Sequence, residues 1–203
     1  MGIFDLDNRF FRFVTKLMHL ILLNILWVIF SFPIITIGPA TVAVYYVTLR
    51  MARDEEGYII KSFFKAFLQN FKHGVALEII LLFIGLVLYG DLRYFYLHES
   101  IFSYLFIAIF AIMTIIFVFA VIYTFPITAR FKNKVSIILK NAFVISMKHL
   151  KTSVMLMIFL FVILYGIYTS VLIMVLFPII AVSGFAYICS ILLRNVFDEY
   201  ELS

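Results

Sequence analysis

The stretch that decides the fold is Leu17–Leu49, LMHLILLNILWVIFSFPIITIGPATVAVYYVTL, which contains no Asp, Glu, Lys or Arg. A helix needs about 20 apolar residues to cross the hydrocarbon layer, so this run is long enough for more than one membrane segment. Proline disfavours the helical conformation of the residue before it, so Phe32-Pro33 and Gly38-Pro39 each mark an interruption. We predict a first membrane segment at about 17–36, then 40–49 as a short span or a re-entrant piece. Whether the run crosses once or twice stays open, and a cleaved signal peptide is disfavoured because the run continues past the second proline.

The composition of the whole chain also favours a membrane protein. Hydrophobic residues make up 66% of the 203 residues and charged residues only 13%, whereas a soluble domain carries about 25% charged residues. A soluble fold would leave wide apolar surfaces in water. Further membrane segments are predicted at about 74–90, 101–125, 152–176 and 178–193, with the last two separated at Pro178. We therefore predict one all-α domain, 1–203, that is a polytopic membrane helical bundle with five or six membrane segments.

Two basic segments, about 59–73 and 134–151, place apolar side chains on one face of a helix and polar ones on the other. Helices of this kind lie in the headgroup plane with their apolar face in lipid. We predict two amphipathic interfacial helices whose lysines contact anionic lipid headgroups. The lysines concerned are Lys61, Lys65, Lys72, Lys140, Lys148 and Lys151. The net charge of +5 does not indicate nucleic-acid binding, because the basic residues sit in short gaps between apolar runs.

The distribution of Lys and Arg predicts the orientation of the chain, since these residues concentrate in cytoplasmic loops. If 17–49 crosses twice, 15 of the 16 Lys and Arg residues fall on one side of the membrane. A single crossing gives a weaker bias. Both alternatives place the two basic helices and the C-terminus in the cytoplasm, and the double crossing places the N-terminus there as well.

Short sequence echoes suggest an internal repeat. Phe32–Ile34 is echoed by Phe125–Ile127, and the pattern of 66–73 is echoed by 142–149, with Ala-Phe and Lys-His at the same internal spacing. Internal repeats are common in transporters, but chance matches are also frequent in apolar sequence. A true duplication and a chance match both stay open.

The sequence contains few residues that could catalyse a reaction or bind a ligand. The sequence offers no nucleophile–base pair, phosphate loop or metal-ligand spacing, so we expect no enzyme, no catalytic residues, no cofactor and no metal. The single cysteine, Cys189, has apolar neighbours and is expected to be buried. Ionisable groups inside a bilayer are functional candidates, which singles out Glu78, with Tyr165 and Tyr168 as further intramembrane polar residues. Glu78 could bind a cation or relay a proton, although pairing with Lys72 or His73 at headgroup depth is favoured.

The most charged stretch is a candidate cytoplasmic docking surface. It runs from Arg50 to Tyr58 and offers both signs of charge beside an aromatic ring. The alternative is a solvated loop with compensating charges. The candidate docking residues are Arg50, Arg53, Asp54, Glu55, Glu56 and Tyr58.

Three segments together resemble the YesL-type family of small bacterial integral membrane proteins. They are the FPIITIGPATVAVYYVTL run from Phe32, the RDEEGY run from Arg53, and the FFKAFLQNFK run from Phe63. The resemblance implies a multi-pass protein of the bacterial cell membrane with no established activity and no assigned catalytic residues. It further implies an association with carbohydrate uptake.

Two functions from different classes remain. The first is an accessory membrane protein that binds a partner, such as a carbohydrate-uptake permease, through its cytoplasmic face. The second is a small solute transporter or channel. A transporter should have a polar cavity at mid-membrane lined by Glu78 or the tyrosines near residue 165, whereas an accessory protein should have a packed interior and a shaped cytoplasmic face.

Overall fold

The computed structural model describes residues 9–55, 57–98, 100–169 and 171–201. Within these ranges the chain forms eight α-helices and one short 3-10 helix, and no strand, so the prediction of an all-α helical bundle is confirmed. The helices are α1 (Arg9–Phe30), a 3-10 turn (Ile34–Thr36), α2 (Ile37–Met51), α3 (Ile59–Gln69), α4 (Phe71–Leu97), α5 (Ile101–Arg130), α6 (Val135–Lys148), α7 (Leu150–Thr169) and α8 (Val171–Glu201).

Six helical segments of the described residues are long and apolar enough to cross a membrane. They are Phe10–Phe30, Ile34–Met51, Phe71–Leu97, Phe102–Arg130, Leu150–Thr169 and Ile180–Tyr200. The two remaining helices, α3 and α6, have 11 and 14 residues and are too short for a full span. The chain is therefore a multi-pass helical membrane protein.

The decisive apolar run folds into an antiparallel pair of helices. Trp27 Nε1 of α1 donates to Thr41 Oγ1 of α2 over 3.0 Å, and Lys16 Nζ lies 2.7 Å from Asp54 Oδ1 just beyond α2. Thr36 closes the turn by donating to the carbonyl of Phe30 at the end of α1. With the 3-10 turn, α2 reaches 18 residues, so the hairpin geometry matches two crossings better than a single one with a re-entrant piece.

The helix α2 occupies the centre of the bundle. It packs against α1, α3, α4, α5 and α8, and most of its side chains are buried, in contrast to the other candidate spans. Small and β-branched residues such as Ala40, Ala43 and Val44 allow the surrounding helices to approach it closely.

Two prolines that border predicted membrane segments, Pro126 after 101–125 and Pro178 between 152–176 and 178–193, do not end helices. Pro126 lies inside α5, which continues to Arg130, and the backbone is helical through residue 178, inside α8. The predicted break between 152–176 and 178–193 is therefore wrong, because α7 already ends at Thr169. Membrane helices tolerate proline, since neighbouring helices and local adjustments satisfy the freed backbone groups.

The two basic helices are shorter than predicted and are partly covered by protein. The segment 59–73 divides at Asn70, where α3 ends and α4 begins, and the segment 134–151 divides at His149. On α3 the side chains of Phe63 and Phe67 are buried, and both pack edge-on against Phe30 of α1. Ile60, Phe64 and Phe71 of the same apolar stripe are exposed, so the stripe is divided between protein contact and the outer surface.

The helices α2–α3–α4 and α5–α6–α7 repeat one another 79 positions apart along the chain. Met51 and Arg130 end α2 and α5, Asn70 and His149 follow α3 and α6, and Phe71 and Leu150 begin α4 and α7. The buried positions of α3 and α6 correspond one to one: Ile59, Phe63, Ala66 and Phe67 match Ile138, Ala142, Ile145 and Ser146. The structure thus supports an internal repeat, but not the sequence echoes first used to suggest it, which require other offsets.

The two repeat units run in the same direction. Arg194 of α8 donates to the carbonyl of Ala52 after α2, and Phe197 of α8 contacts Phe131 after α5. Because α2 and α5 end beside the same segment of α8, the repeat is parallel. The inverted repeats of many transporters have opposite directions.

Candidate functional site

The loop 52–58 between α2 and α3 is held by three contacts at one end of the bundle. Lys16 of α1 pairs with Asp54 over 2.7 Å, Arg53 pairs with Asp198 of α8, and Arg194 Nη1 of α8 donates to the carbonyl of Ala52 over 3.0 Å. Two helices far apart in sequence, α1 and α8, thus fix the start of one short loop. We call this region, Lys16 with 50–58 and 194–199, the charged end.

The backbone of this loop is also ordered by its own hydrogen bonds. The amides of Arg53 and Glu55 both donate to the carbonyl of Arg50 over 3.0 Å, and Asp54 donates to Met51 over 3.2 Å. Asp54 has φ of 56°, in the left-handed region that follows many helix C-termini. A non-glycine residue in this region is uncommon and is maintained by its surroundings.

The predicted docking residues meet at this charged end, but in different roles. Arg53 and Asp54 are engaged in the ion pairs that fix the loop. Glu55 and Tyr58 point outward, and Tyr58 is 85% exposed. Glu56 lies outside the described residues. Lys16, Asp198 and Arg194 were not predicted as members of this site, because each is a charged residue near one end of an apolar helix with no local pattern that indicates its partner.

The ion pair with Lys16 affects the acidity of Asp54. The hydrogen bond from the Lys16 ammonium lowers the pKa of the Asp54 carboxyl below its ordinary value, and the charge of Lys16 acts in the same direction. Arg12 and Arg194 contribute smaller electrostatic effects of the same sign. Asp54 is therefore ionised down to lower pH than an isolated aspartate.

A cleft of about 270 Å³ opens beside the charged end, between α2 and the start of α3. Its lining combines three cationic side chains with three hydroxyl-bearing ones. The lining residues are Tyr46, Arg50, Gly57, Tyr58, Lys61, Ser62 and Lys65. The cleft thus joins residues predicted for docking with lysines predicted for headgroup contact.

Glu78, the candidate intramembrane carboxylate, caps the start of α2. It is buried, and its Oε2 accepts a hydrogen bond from the Gly38 amide over 2.9 Å. The first amides of a helix have no partner within the helix, so a carboxylate placed there satisfies one of them and also interacts favourably with the helix dipole. The expected pairing with Lys72 or His73 is not found, and both side chains are exposed.

The surroundings of Glu78 are packed backbone to backbone. A Cβ atom added to Gly38 would lie 2.4 Å from the Gly74 carbonyl oxygen, and one added to Gly74 would lie 2.6 Å from Pro39. The contact between α2 and α4 therefore requires glycine on both helices. We call Gly38, Pro39, Gly74 and Glu78 the glycine junction.

The other intramembrane candidates lie away from this junction. Tyr165 and Tyr168 of α7 are 60% and 89% exposed, so they face outward rather than into the bundle. Buried polar groups instead join helices in pairs: Thr48 with Ser190 over 2.8 Å, and Asn24 Oδ1 with the Ser183 amide over 2.9 Å. Such bonds hold membrane helices together.

The lysines predicted to meet lipid headgroups are exposed on α3, α4, α6 and α7. Lys148 also lies 5.7 Å from the centre of the Tyr200 ring, in a cation–π contact. Lipid contact by these lysines stays a prediction. Cys189 is buried, as expected, and in the part of the chain that the structure describes no three His, Cys, Asp or Glu residues are grouped to hold a metal.

Comparisons with known proteins cover the same region. A family described as "Protein of unknown function, DUF624" matches residues 20–92, which include the helix hairpin, the charged loop, the cleft and the glycine junction. Over 148 residues, 71% of this chain, the sequence is 28% identical to "Uncharacterized protein YesL" of Bacillus subtilis (strain 168), of which 69% is covered. It is 27% identical over an equal length to "Uncharacterized protein YteU" of the same organism, of which 66% is covered. No solved structure matches. These matches confirm the predicted resemblance to YesL-like proteins, and the family model that matches describes proteins of unknown function.

Proposed function

We propose that the chain is an accessory membrane protein that binds a partner through its charged end. The observation that carries the proposal is the loop 52–58, which α1 and α8 fix by ion pairs and a backbone hydrogen bond. Despite this anchoring, the loop presents Glu55 and Tyr58 to the outside. A fixed loop with an exposed tyrosine binds a partner at a lower entropic cost than a flexible one.

The packed interior also supports an accessory role over the transporter alternative. Glu78 is engaged as a helix cap in the glycine junction, and the two candidate tyrosines of α7 face outward. The groups expected to form a solute path therefore do not line a common cavity. The proposal includes no catalytic role.

The class of partner follows from the predicted orientation and from the family resemblance. Because the Lys and Arg distribution predicts that the charged end is cytoplasmic, the partner is a membrane protein with a cytoplasmic surface, or a protein bound to one. The YesL-like resemblance favours a carbohydrate-uptake permease of the bacterial cell membrane.

A photo-crosslinking experiment in native membranes tests this proposal. A photoreactive amino acid is placed at Glu55 or Tyr58, and at the equivalent repeat positions Lys134 and Ile137 as matched controls, which are also exposed. We expect Glu55 and Tyr58 to crosslink one membrane protein, while the controls do not. Absence of a crosslinked protein, or equal capture from both loops, would contradict the proposal.

A further inference from the structure

We propose that the cleft between α2 and α3 is a binding site for a phosphoryl group. The inference does not depend on the partner proposed above, because it concerns a small anion inside the cleft rather than a protein on the loop. Three observations carry it: the cationic lining of the cleft, its volume and hydrogen-bonding groups, and the replacement of most of these side chains at the equivalent positions of the second repeat unit.

No carboxylate that the structure describes pairs with the cations of the cleft. These cations are Arg50, Lys61 and Lys65. The acidic residue Asp54 nearby is engaged by Lys16 instead. Three cations around one cavity repel one another, and an anion between them removes that repulsion.

The volume of the cleft and its hydrogen-bond donors suit an oxyanion. A volume of about 270 Å³ accommodates roughly nine waters at about 30 Å³ each, which is ample for a phosphoryl group and a small substituent. Tyr46, Tyr58 and Ser62 add hydroxyl groups that can donate to phosphate oxygens. The first turn of α3 also lines the cleft, so its dipole adds to the positive potential.

The second repeat unit shows that the fold does not require these residues. At the equivalent positions, 79 residues on, the helices α5 and α6 have the same burial pattern but different side chains. Tyr46, Arg50, Tyr58 and Lys65 are replaced there by Phe125, Ala129, Ile137 and Val144, whereas Lys61 and Ser62 correspond to the polar residues Lys140 and Asn141. The same helical arrangement thus forms without the charged set, so we assign that set to binding rather than to packing.

Two sources can supply the phosphoryl group, an anionic lipid headgroup or a free phosphorylated small molecule. The test uses the purified full chain in neutral detergent and measures its thermal unfolding at constant ionic strength. One arm titrates inorganic phosphate against chloride, and the other titrates dioctanoyl phosphatidylglycerol against dioctanoyl phosphatidylcholine. Ligand binding to the folded state raises the unfolding temperature in a saturable manner, from which an affinity follows.

The variants are Lys61→Gln with Lys65→Gln, and, as a control with equal charge loss, Lys140→Gln with Lys151→Gln. All four lysines are exposed, so we expect both double variants to fold with unchanged unfolding temperatures in the absence of ligand. Removal of two of the three cations should weaken binding by roughly thirtyfold, which corresponds to about 1 kcal/mol for each lysine. The control pair should leave it within about twofold.

The outcomes separate the two sources and also decide the proposal. Stabilisation by phosphatidylglycerol alone supports a headgroup site, and stabilisation by inorganic phosphate as well supports a site for a free phosphorylated molecule. The proposal is overturned if neither probe stabilises the wild-type chain, or if both double variants weaken binding equally, since general surface charge would then explain the effect.

Discussion

At the scale of single residues, the glycine junction explains why a helix can begin inside the protein. Burial leaves the first amides of α2 without water, and an unpaired buried amide is costly. Glu78 satisfies Gly38, while Pro39 needs no partner because it has no amide hydrogen. The junction forms only because Gly38 and Gly74 let two backbones touch.

The first prediction concerns Gly74→Ala. The added methyl group would lie 2.6 Å from backbone atoms of Pro39, so α2 and α4 must separate, and we expect the free energy of unfolding to fall by about 1–3 kcal/mol. The measurement is equilibrium unfolding in detergent titrated with dodecyl sulfate. Gly90→Ala is the matched control on α4, because nothing lies within 4 Å of its Cβ position. Helix propensity predicts that the control gains up to about 1 kcal/mol.

The second prediction separates the charge of Glu78 from its hydrogen bond. Glu78→Ala leaves the Gly38 amide unpaired and should cost about 1–3 kcal/mol in the same unfolding assay. Glu78→Gln keeps a carbonyl oxygen that can accept from that amide, so we expect less than half of this loss. If the two variants lose equal stability, the start of α2 requires the negative charge rather than the acceptor.

At the scale of elements, a helix and its two faces could be predicted where apolar and polar residues recur at helical spacing. The lysines and phenylalanines of α3 predicted its helix and its two faces, because that pattern depends only on local spacing. The breaks at Pro126 and Pro178 were predicted wrongly, because tolerance of proline depends on neighbouring helices that local sequence does not reveal. Likewise, the partners of Asp54 and Arg53 lie on α1 and α8, far away in sequence.

The third prediction concerns the pH dependence of the loop 52–58. Since the folded state lowers the pKa of Asp54, this carboxylate stabilises the fold above its unfolded pKa of about 3.9. The contribution is lost as pH falls through the lower, folded value. We expect the unfolding temperature of Asp54→Asn to be less sensitive to pH than that of the wild type in this acidic range, and equal steepness in both proteins would contradict the assigned ion pair. Glu55→Gln is the control, because Glu55 is exposed on the same loop.

At the scale of the whole molecule, the parallel repeat organises the bundle around α2. Equivalent positions share burial more often than identity: Thr48 and Ile127 are both buried, and so are Gly74 and Ser153. The echoes of identical residues in the sequence therefore pair positions that are not equivalent in the structure. Packing constrains burial and volume more than residue type. Among the described residues α1 packs mainly against α2, α3 and α8, and Trp27 of α1 is joined by a hydrogen bond to Thr41 of the first unit. This asymmetry agrees with placing the anion cleft and the charged loop in the first unit only.

The last prediction tests the crossings themselves. The alternation of helices places the loops 52–58 and 131–134 on the side of the N-terminal part of α1, and the α1–α2, α4–α5 and α7–α8 connections on the other side. Single cysteines at Arg12, Glu55 and Lys134, and at Phe32, Ser100 and Thr169, report this in a Cys189→Ser background, since all six positions are exposed.

A thiol reagent that cannot cross the membrane is applied to right-side-out and inverted vesicles. We expect Arg12, Glu55 and Lys134 to react from the cytoplasmic side, as the positive-inside rule requires. Phe32, Ser100 and Thr169 should react from the opposite side. Labelling of Arg12 and Glu55 from opposite sides would show that α1 and α2 together cross the membrane once.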